Sequence, residues 1–113
     1  MHELSLAGGI LSMVEEAAAR EAFKRVVQLH LEVGRLAAVE VPALRFALAS
    51  LAPGTVLDGA EVLIDEPGAI AECPGCGQTV DIAVHGDPCP RCGAWGLVPR
   101  GGDALRVVDL QVL

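Results

Sequence analysis

The sequence predicts an α+β fold, in which two helices and a three-stranded sheet form one small domain with a four-cysteine module inserted before the last strand. Three observations support this prediction. Apolar residues recur with helical spacing near the start, they alternate with polar residues in later segments, and all four cysteines stand in two Cys-x-x-Cys pairs. With 113 residues, the chain has room for one small domain and an attached module.

Two segments have the pattern of amphipathic helices. The first runs from Leu4 to about Ala22, with one apolar face made of Leu6, Ala7, Ile10, Val14, Ala17 and Ala18. Gly8 and Gly9 lie inside it, and each costs about 1 kcal/mol relative to alanine, so either burial compensates or the first turn stays loose. The second helix begins at Pro42, which is tolerated in a first turn, and ends before Pro53-Gly54.

Three segments have the pattern of strands, at residues 25–34, 60–66 and 105–113. In the first of them the predicted buried side chains are Val27, Leu29, Leu31 and Val33. The cysteines lie between the second and third strands, within stretches rich in Pro and Gly. We therefore predict a discontinuous domain, residues 1–67 and 103–113, and an inserted module, residues 68–102.

The cysteines form a repeated phrase, with Cys-Pro-Gly-Cys-Gly at residues 73–77 and Cys-Pro-Arg-Cys-Gly at residues 89–93. This spacing predicts a zinc-ribbon-like module in which Cys73, Cys76, Cys89 and Cys92 hold Zn(II). Two disulfides or four unrelated thiols would not explain the repetition. Each Gly after a pair can adopt a positive φ, and Thr79–Val84 can form a short strand. A closed site of four thiolates has no open position for a substrate, so we predict structural zinc.

Composition excludes several classes of function. The formal net charge is −7, and Phe23, Phe46 and Trp95 are the only aromatic residues, whereas a nucleic-acid interface needs clustered basic and aromatic side chains. No apolar stretch approaches the roughly 18 residues that span a bilayer, and no basic leader precedes the first apolar run. We therefore expect no nucleic-acid or membrane partner, and a cytoplasmic location that keeps the thiols reduced.

The opening Met1-His2-Glu3-Leu4-Ser5-Leu6, together with the two cysteine pairs, resembles the HypA/HybF family of nickel metallochaperones for [NiFe]-hydrogenase maturation. The likeness extends to Val41-Pro42-Ala43-Leu44-Arg45-Phe46, Pro53-Gly54-Thr55 and Gly59-Ala60, and so covers nearly the whole chain. It implies an α/β nickel-binding domain with a zinc module before its last strand. It also implies two partners, a nickel-handling GTPase of the HypB type and the hydrogenase large-subunit precursor, and no enzymatic activity.

The resemblance implies that nickel binds at Met1, His2 and Glu3, and the chemistry of these residues agrees with that role. Ni(II) favours square-planar nitrogen donors. The Met1 amine, the amide nitrogen and imidazole of His2 and the Glu3 amide nitrogen can supply four of them. We expect Met1 to be retained, because His2 is too large for efficient methionine removal, and acid to release the nickel by protonating its ligands. On residue type alone, a histidine at position 2 is more often an ordinary exposed side chain.

Three other residues are secondary candidates for contact with nickel: His30, His85 and Glu40. The expected roles without nickel are a polar-face residue for His30 and an exposed acid near a helix start for Glu40. Some relatives carry histidines beside the cysteine pairs, but here Gly77 and Gly93 stand there, which argues against ligand exchange at zinc. The alternative functions are a zinc-ribbon module that binds nucleic acid or protein, or a zinc enzyme, which would need an open coordination site and a nearby base.

Overall fold

The computed structural model describes residues 2–113, and it confirms the predicted α+β class with two helices and two small sheets. The elements are α1 (Glu3–Glu21), β1 (Val26–Val33), α2 (Val41–Leu51), β2 (Glu61–Asp65), β3 (Ala69–Glu72), β4 (Thr79–Ile82), β5 (Val98–Arg100) and β6 (Leu105–Val112). One sheet has the strand order β2-β1-β6 and the other β4-β3-β5. Of the helices within residues 2–113, none has the length and apolar character required to cross a membrane.

The chain divides into two compact units. The first unit comprises Met1–Leu31, Val39–Ile64 and Val107–Leu113, and the second comprises Glu32–Ala38 and Asp65–Arg106. The second unit therefore contains the last two residues of β1 and the segment that follows them, as well as the cysteine region. The domain boundaries at residues 67 and 103 stay a prediction.

The first unit contains the two helices, which pack against each other. Its buried side chains are mostly aliphatic: Ala7, Ile10, Val14, Val26, Leu29, Leu31, Leu44, Ala47, Leu48 and Leu57. Three members of the predicted apolar face of α1 are fully buried, and Leu6, Ala17 and Ala18 are half-buried. In α2, Pro42 occupies the first turn as expected, where its missing N–H costs no intrahelical hydrogen bond.

Strand β1 departs from the predicted alternation at its start. Val26 is buried and Val27 is 45% exposed, whereas the pattern had placed Val27 on the buried face with Leu29. The backbone N–H of Val26 donates a hydrogen bond to the Val56 carbonyl at 2.9 Å. This contact with a distant loop holds the first residue of the strand, and a period-two pattern in the sequence cannot indicate it.

The second unit is built around the sheet β4-β3-β5, in which both pairs are antiparallel. The sequence predicted β4 but not β3 or β5, which have only four and three residues. Ala69 and Ala71 of β3 point to the buried side, together with Val80 and Ile82 of β4. The rest of this small core is Leu36, Cys73 and Cys89, with Ala94 and Leu97 partly buried against it.

Leu36 reaches the core of the second unit because the chain around it lies against Gly102. The Leu36 N–H donates to the Gly102 carbonyl at 2.7 Å, and the Gly34 N–H donates to the Ala104 carbonyl at 2.9 Å. A Cβ built at Gly34 would lie 2.1 Å from the Gly102 oxygen. Only glycine at position 34 allows this approach, and the approach brings Leu36 into the core.

Gly9 in α1 gives a prediction about stability. Nothing lies within 4 Å of a Cβ built at this position, so the burial that would have compensated for the glycine is absent there. We expect Gly9→Ala to raise the free energy of unfolding by about 1 kcal/mol, because alanine loses less backbone entropy in a helix. Urea-induced unfolding followed by circular dichroism measures the change.

Gly54→Ala is the matched control for Gly9→Ala. Its Cβ would also enter open space, but Gly54 has a φ of +78°, where a Cβ costs about 1 to 2 kcal/mol. We therefore expect the two substitutions to have opposite signs. An unchanged or lower stability for Gly9→Ala would contradict the prediction.

Candidate metal centres

The four cysteine sulfurs lie together in the second unit. All four Sγ atoms are within 4.8 Å of one another, with Cys73 and Cys92 3.5 Å apart and Cys76 and Cys89 3.9 Å apart. A tetrahedron of thiolates around zinc, with Zn–S bonds of about 2.3 Å, has S···S edges of about 3.8 Å. The observed separations bracket this length, so the donor set fits a zinc ion without rearrangement of the backbone.

The two cysteine pairs have the same local geometry. In each pair the carbonyl of the first cysteine accepts a hydrogen bond from the glycine four residues later, at 2.9 Å for Gly77 and 2.8 Å for Gly93. Both glycines have positive φ angles, +71° and +77°, as the sequence predicted. Backbone N–H groups point at the buried sulfurs, from Gly75 to Cys73 at 3.3 Å and from Arg91 to Cys89 at 3.4 Å. The repeated phrase therefore encodes two equivalent turns that present thiolates.

The backbone around the sulfurs favours thiolates at the two buried cysteines. The N–H of Cys76, with that of Gly75, lowers the pKa of Cys73, and the N–H of Cys92, with that of Arg91, lowers the pKa of Cys89 to about 6. At Cys92 the Ala94 N–H also favours the thiolate. The neighbouring cysteine sulfurs, mainly that of Cys73, and the burial of the thiol oppose the effect of this hydrogen bond. Together they have the larger effect and raise the pKa of Cys92 to about 11. Four thiolates at such distances repel one another unless a cation lies between them, which is what Zn(II) supplies when bound.

The candidate nickel residues lie at the start of α1 in the first unit. Met1 is outside the described residues. The His2 side chain is 54% exposed, whereas the Glu3 side chain is 7% exposed. Glu3 accepts a hydrogen bond from the Glu40 backbone N–H at 3.1 Å, and the same oxygen lies 3.5 Å from Nδ1 of His2. The Glu3 carboxylate therefore joins the start of α1 to the residue that precedes α2.

The backbone at His2 brings two adjacent amide nitrogens to the same side. His2 has φ −76° and ψ −5°, so its own nitrogen and that of Glu3 are nearly eclipsed about the Cα–C bond. A five-membered chelate ring through two successive amides requires this arrangement. The first N–H groups of an α-helix are outside its hydrogen-bond ladder, so loss of their protons leaves the helix intact.

The secondary candidates have structural contacts. Nδ1 of His30 lies 3.5 Å from Oδ2 of Asp109, and Nε2 of His85 lies 3.3 Å from the Leu36 carbonyl oxygen. Glu40 is exposed, and its backbone N–H donates to the Glu3 carboxylate. Nothing in the sequence pattern indicates the contact between Glu3 and Glu40, which lie 37 positions apart. Nickel contacts of His30, His85 and Glu40 stay predictions.

Comparisons with known proteins place the whole chain in one family. Residues 1–112 match the model of the HypA family, described as "Hydrogenase/urease nickel incorporation, metallochaperone". A relative from Polaromonas naphthalenivorans is 57% identical over 112 residues, which are 99% of this chain and 97% of the relative. One from Cupriavidus necator is 54% identical and covers 99% of this chain and 94% of its own length. Both are named "Hydrogenase maturation factor HypA".

A solved structure shares the fold. The solution structure of the Ni metallochaperone HypA from Helicobacter pylori superposes with a TM-score of 0.69, over 100% of this chain and 98% of that one, at 20% sequence identity. The match includes both the helical unit and the cysteine unit. With the family model and the close relatives, it leads to one conclusion: this chain belongs to the HypA family of nickel metallochaperones.

Proposed function

We propose that this protein carries Ni(II) for the maturation of [NiFe]-hydrogenase and holds the ion at its amino terminus. The ligands are the Met1 amine, the amide nitrogen and imidazole of His2 and the amide nitrogen of Glu3. The observation that carries the proposal is the His2 ψ angle of −5°, because it turns two successive amide nitrogens toward a single ion. Ni(II) favours nitrogen donors of this kind.

The exposure of the residues also supports a transfer role. Cargo that is passed on must be reachable, and the His2 side chain is about half exposed. The Glu3 carboxylate fixes the first turn of α1 through Glu40, so the backbone donors are held before nickel arrives. The chemistry is ligand exchange, and no bond of an organic substrate is made or broken.

The zinc site supports this function without taking part in it. Two of its thiolates are buried in the core of the second unit, and four thiolates fill the zinc coordination shell. We propose that the second unit is a scaffold. The partners we propose are a GTPase of the HypB type that handles nickel and the hydrogenase large-subunit precursor, both implied by the resemblance to the HypA/HybF family.

Calorimetric titration with Ni(II) tests the terminal site. The zinc-loaded, untagged protein is compared with His2→Ala and with a variant that carries two extra residues before Met1. We expect both changes to weaken nickel binding at least a hundredfold, because one removes the imidazole and the other moves the free amine out of reach.

His30→Ala is the control, since this histidine is half-buried beside Asp109 and should leave the titration unchanged. Nickel binding of parental strength in both terminal variants would overturn the assignment of Met1, His2 and Glu3. Loss of nickel binding in His30→Ala alone would move the site to the β1 strand.

A further inference from the structure

An apolar groove lies beside the proposed nickel site in the first unit. It has a volume of about 260 Å³ and is lined by Glu3, Leu4, Ala43, Phe46, Ala47 and Ser50, from the start of α1 and one side of α2. Phe46 is 74% exposed and Leu4 is 58% exposed. Phe46 and Leu4 line the same groove, and adjoining exposed apolar side chains mark interaction sites more often than isolated ones do.

The walls of the groove decide what kind of partner segment fits. Both walls are helices, and a helix has no strand edge, so the groove offers no place for an added strand. The Ser50 hydroxyl donates to the Phe46 carbonyl at 2.9 Å, and the side of α2 facing the groove therefore presents mainly carbon atoms. From Ala43 to Ser50 this side runs for about 10 Å, two turns of a docked helix. A helix with an apolar face matches these walls.

The charge around the groove determines which charge the docked helix should carry. The first unit has eight acidic and four basic residues, and among residues 2–113 the charged residue that lines the groove is Glu3. Arg45, next to Phe46 in the chain, directs its guanidinium to the Val62 carbonyl at 2.8 Å. A helix flanked by Lys and Arg is thus attracted, whereas a second copy of this chain, with a net charge of −7, is repelled.

The small size of the patch favours a transient contact. Stable interfaces bury about 800 Å² on each partner, and two exposed side chains on one helix pair supply much less. We propose that this groove docks a basic amphipathic helix of the protein that exchanges nickel with this chain, with Phe46 as the anchor. The role in exchange depends on the nickel function proposed above, but the docking itself does not.

The test uses an 18-residue peptide of Leu and Lys in which the leucines share one helical face. It is titrated into the ¹⁵N-labelled, zinc-loaded protein without nickel, and amide shifts are followed by NMR. We expect shifts centred on residues 3–4 and 43–50 and at least tenfold weaker binding by Phe46→Ala. Because Phe46 is largely exposed, the alanine variant should fold normally, which its spectrum verifies.

Trp95→Ala is the matched control, because Trp95 is an equally exposed aromatic in the second unit and should leave the affinity unchanged. A peptide of the same composition with scattered leucines should bind at least tenfold more weakly, and so should one with Glu in place of Lys. Equal binding of the scrambled peptide, or equal loss in Phe46→Ala and Trp95→Ala, would overturn the proposal. A dimer that dissociates on Phe46→Ala in sedimentation experiments would also overturn it, in favour of a second copy.

The nickel titration of Phe46→Ala separates this proposal from the previous one. Nickel binding should equal that of the parent, since Phe46 supplies no ligand. Loss of peptide binding with intact nickel binding supports the groove, whereas failure of the His2 experiment would leave the groove result standing.

Discussion

Replacing Cys73 by serine is expected to release zinc and to unfold the second unit. The core of this unit is Leu36, two alanines, Val80, Ile82 and two cysteine sulfurs, which is too little apolar volume to offset the entropy of ordering the segment. The zinc–thiolate bonds must supply the difference. In isolated zinc fingers the metal contributes about 10 to 16 kcal/mol, which is largely folding free energy. Removal of zinc with a strong chelator should have the same effect on the parent protein.

NMR spectra of the ¹⁵N-labelled protein and zinc content by mass spectrometry measure this outcome. Amide signals from residues 65–106 should collapse into the range of unfolded chains, and bound zinc should fall from one ion per chain to none. Thr79→Ser is the control, because it introduces a serine at an exposed position of β4 in the same unit. Retention of zinc and of dispersed signals in Cys73→Ser would show that the metal does not hold this unit.

Gly34→Ala is expected to destabilise the protein by about 3 kcal/mol or more. The added Cβ would lie 2.1 Å from the Gly102 oxygen and 2.8 Å from the Asp103 nitrogen, and both are backbone atoms that cannot rotate away. Relief requires the two segments to separate. That movement breaks the hydrogen bonds from Gly34 to Ala104 and from Leu36 to Gly102, and it withdraws Leu36 from the core.

Urea unfolding of the zinc-saturated protein measures the loss, with Gly9→Ala as the matched control. Neither glycine has a positive φ, so the two substitutions differ mainly in the space available to the new methyl group. Gly34→Ala should lower the urea midpoint while Gly9→Ala raises it. A Gly34→Ala protein as stable as the parent would mean that Gly34 and Gly102 are not in contact in solution.

Local patterns in the sequence were sufficient for the longer elements. Both helices and the strands β1, β2 and β6 lie within two residues of their predicted ends, because hydrophobic spacing and Pro or Gly breaks mark them directly. The four cysteines meet because each Cys-x-x-Cys turn is locally determined. Strands β3 and β5 were not predicted, since four and three residues are too few for a periodic signal.

Contacts between distant segments could not be read from the sequence. The sequence around Gly34 does not indicate its contact with Gly102. The sequence around Leu36 does not indicate that this residue belongs to the core of the cysteine unit. The same limit applies at the terminus, where the Glu3 carboxylate meets the Glu40 N–H. The family resemblance suggested Met1, His2 and Glu3 as ligands, and their chemistry agreed with it, but the arrangement of their donors depends on where helix α1 begins.

The order of the two units along the sequence has a consequence for synthesis on the ribosome. The second unit is complete at Arg106, whereas the first unit, which starts the chain, still lacks Val107–Leu113 at that point. All four cysteines are therefore translated before the strand that finishes the first unit. Binding of zinc by the second unit therefore needs no residue that is translated after Arg106, whereas closure of the unit that carries His2 does.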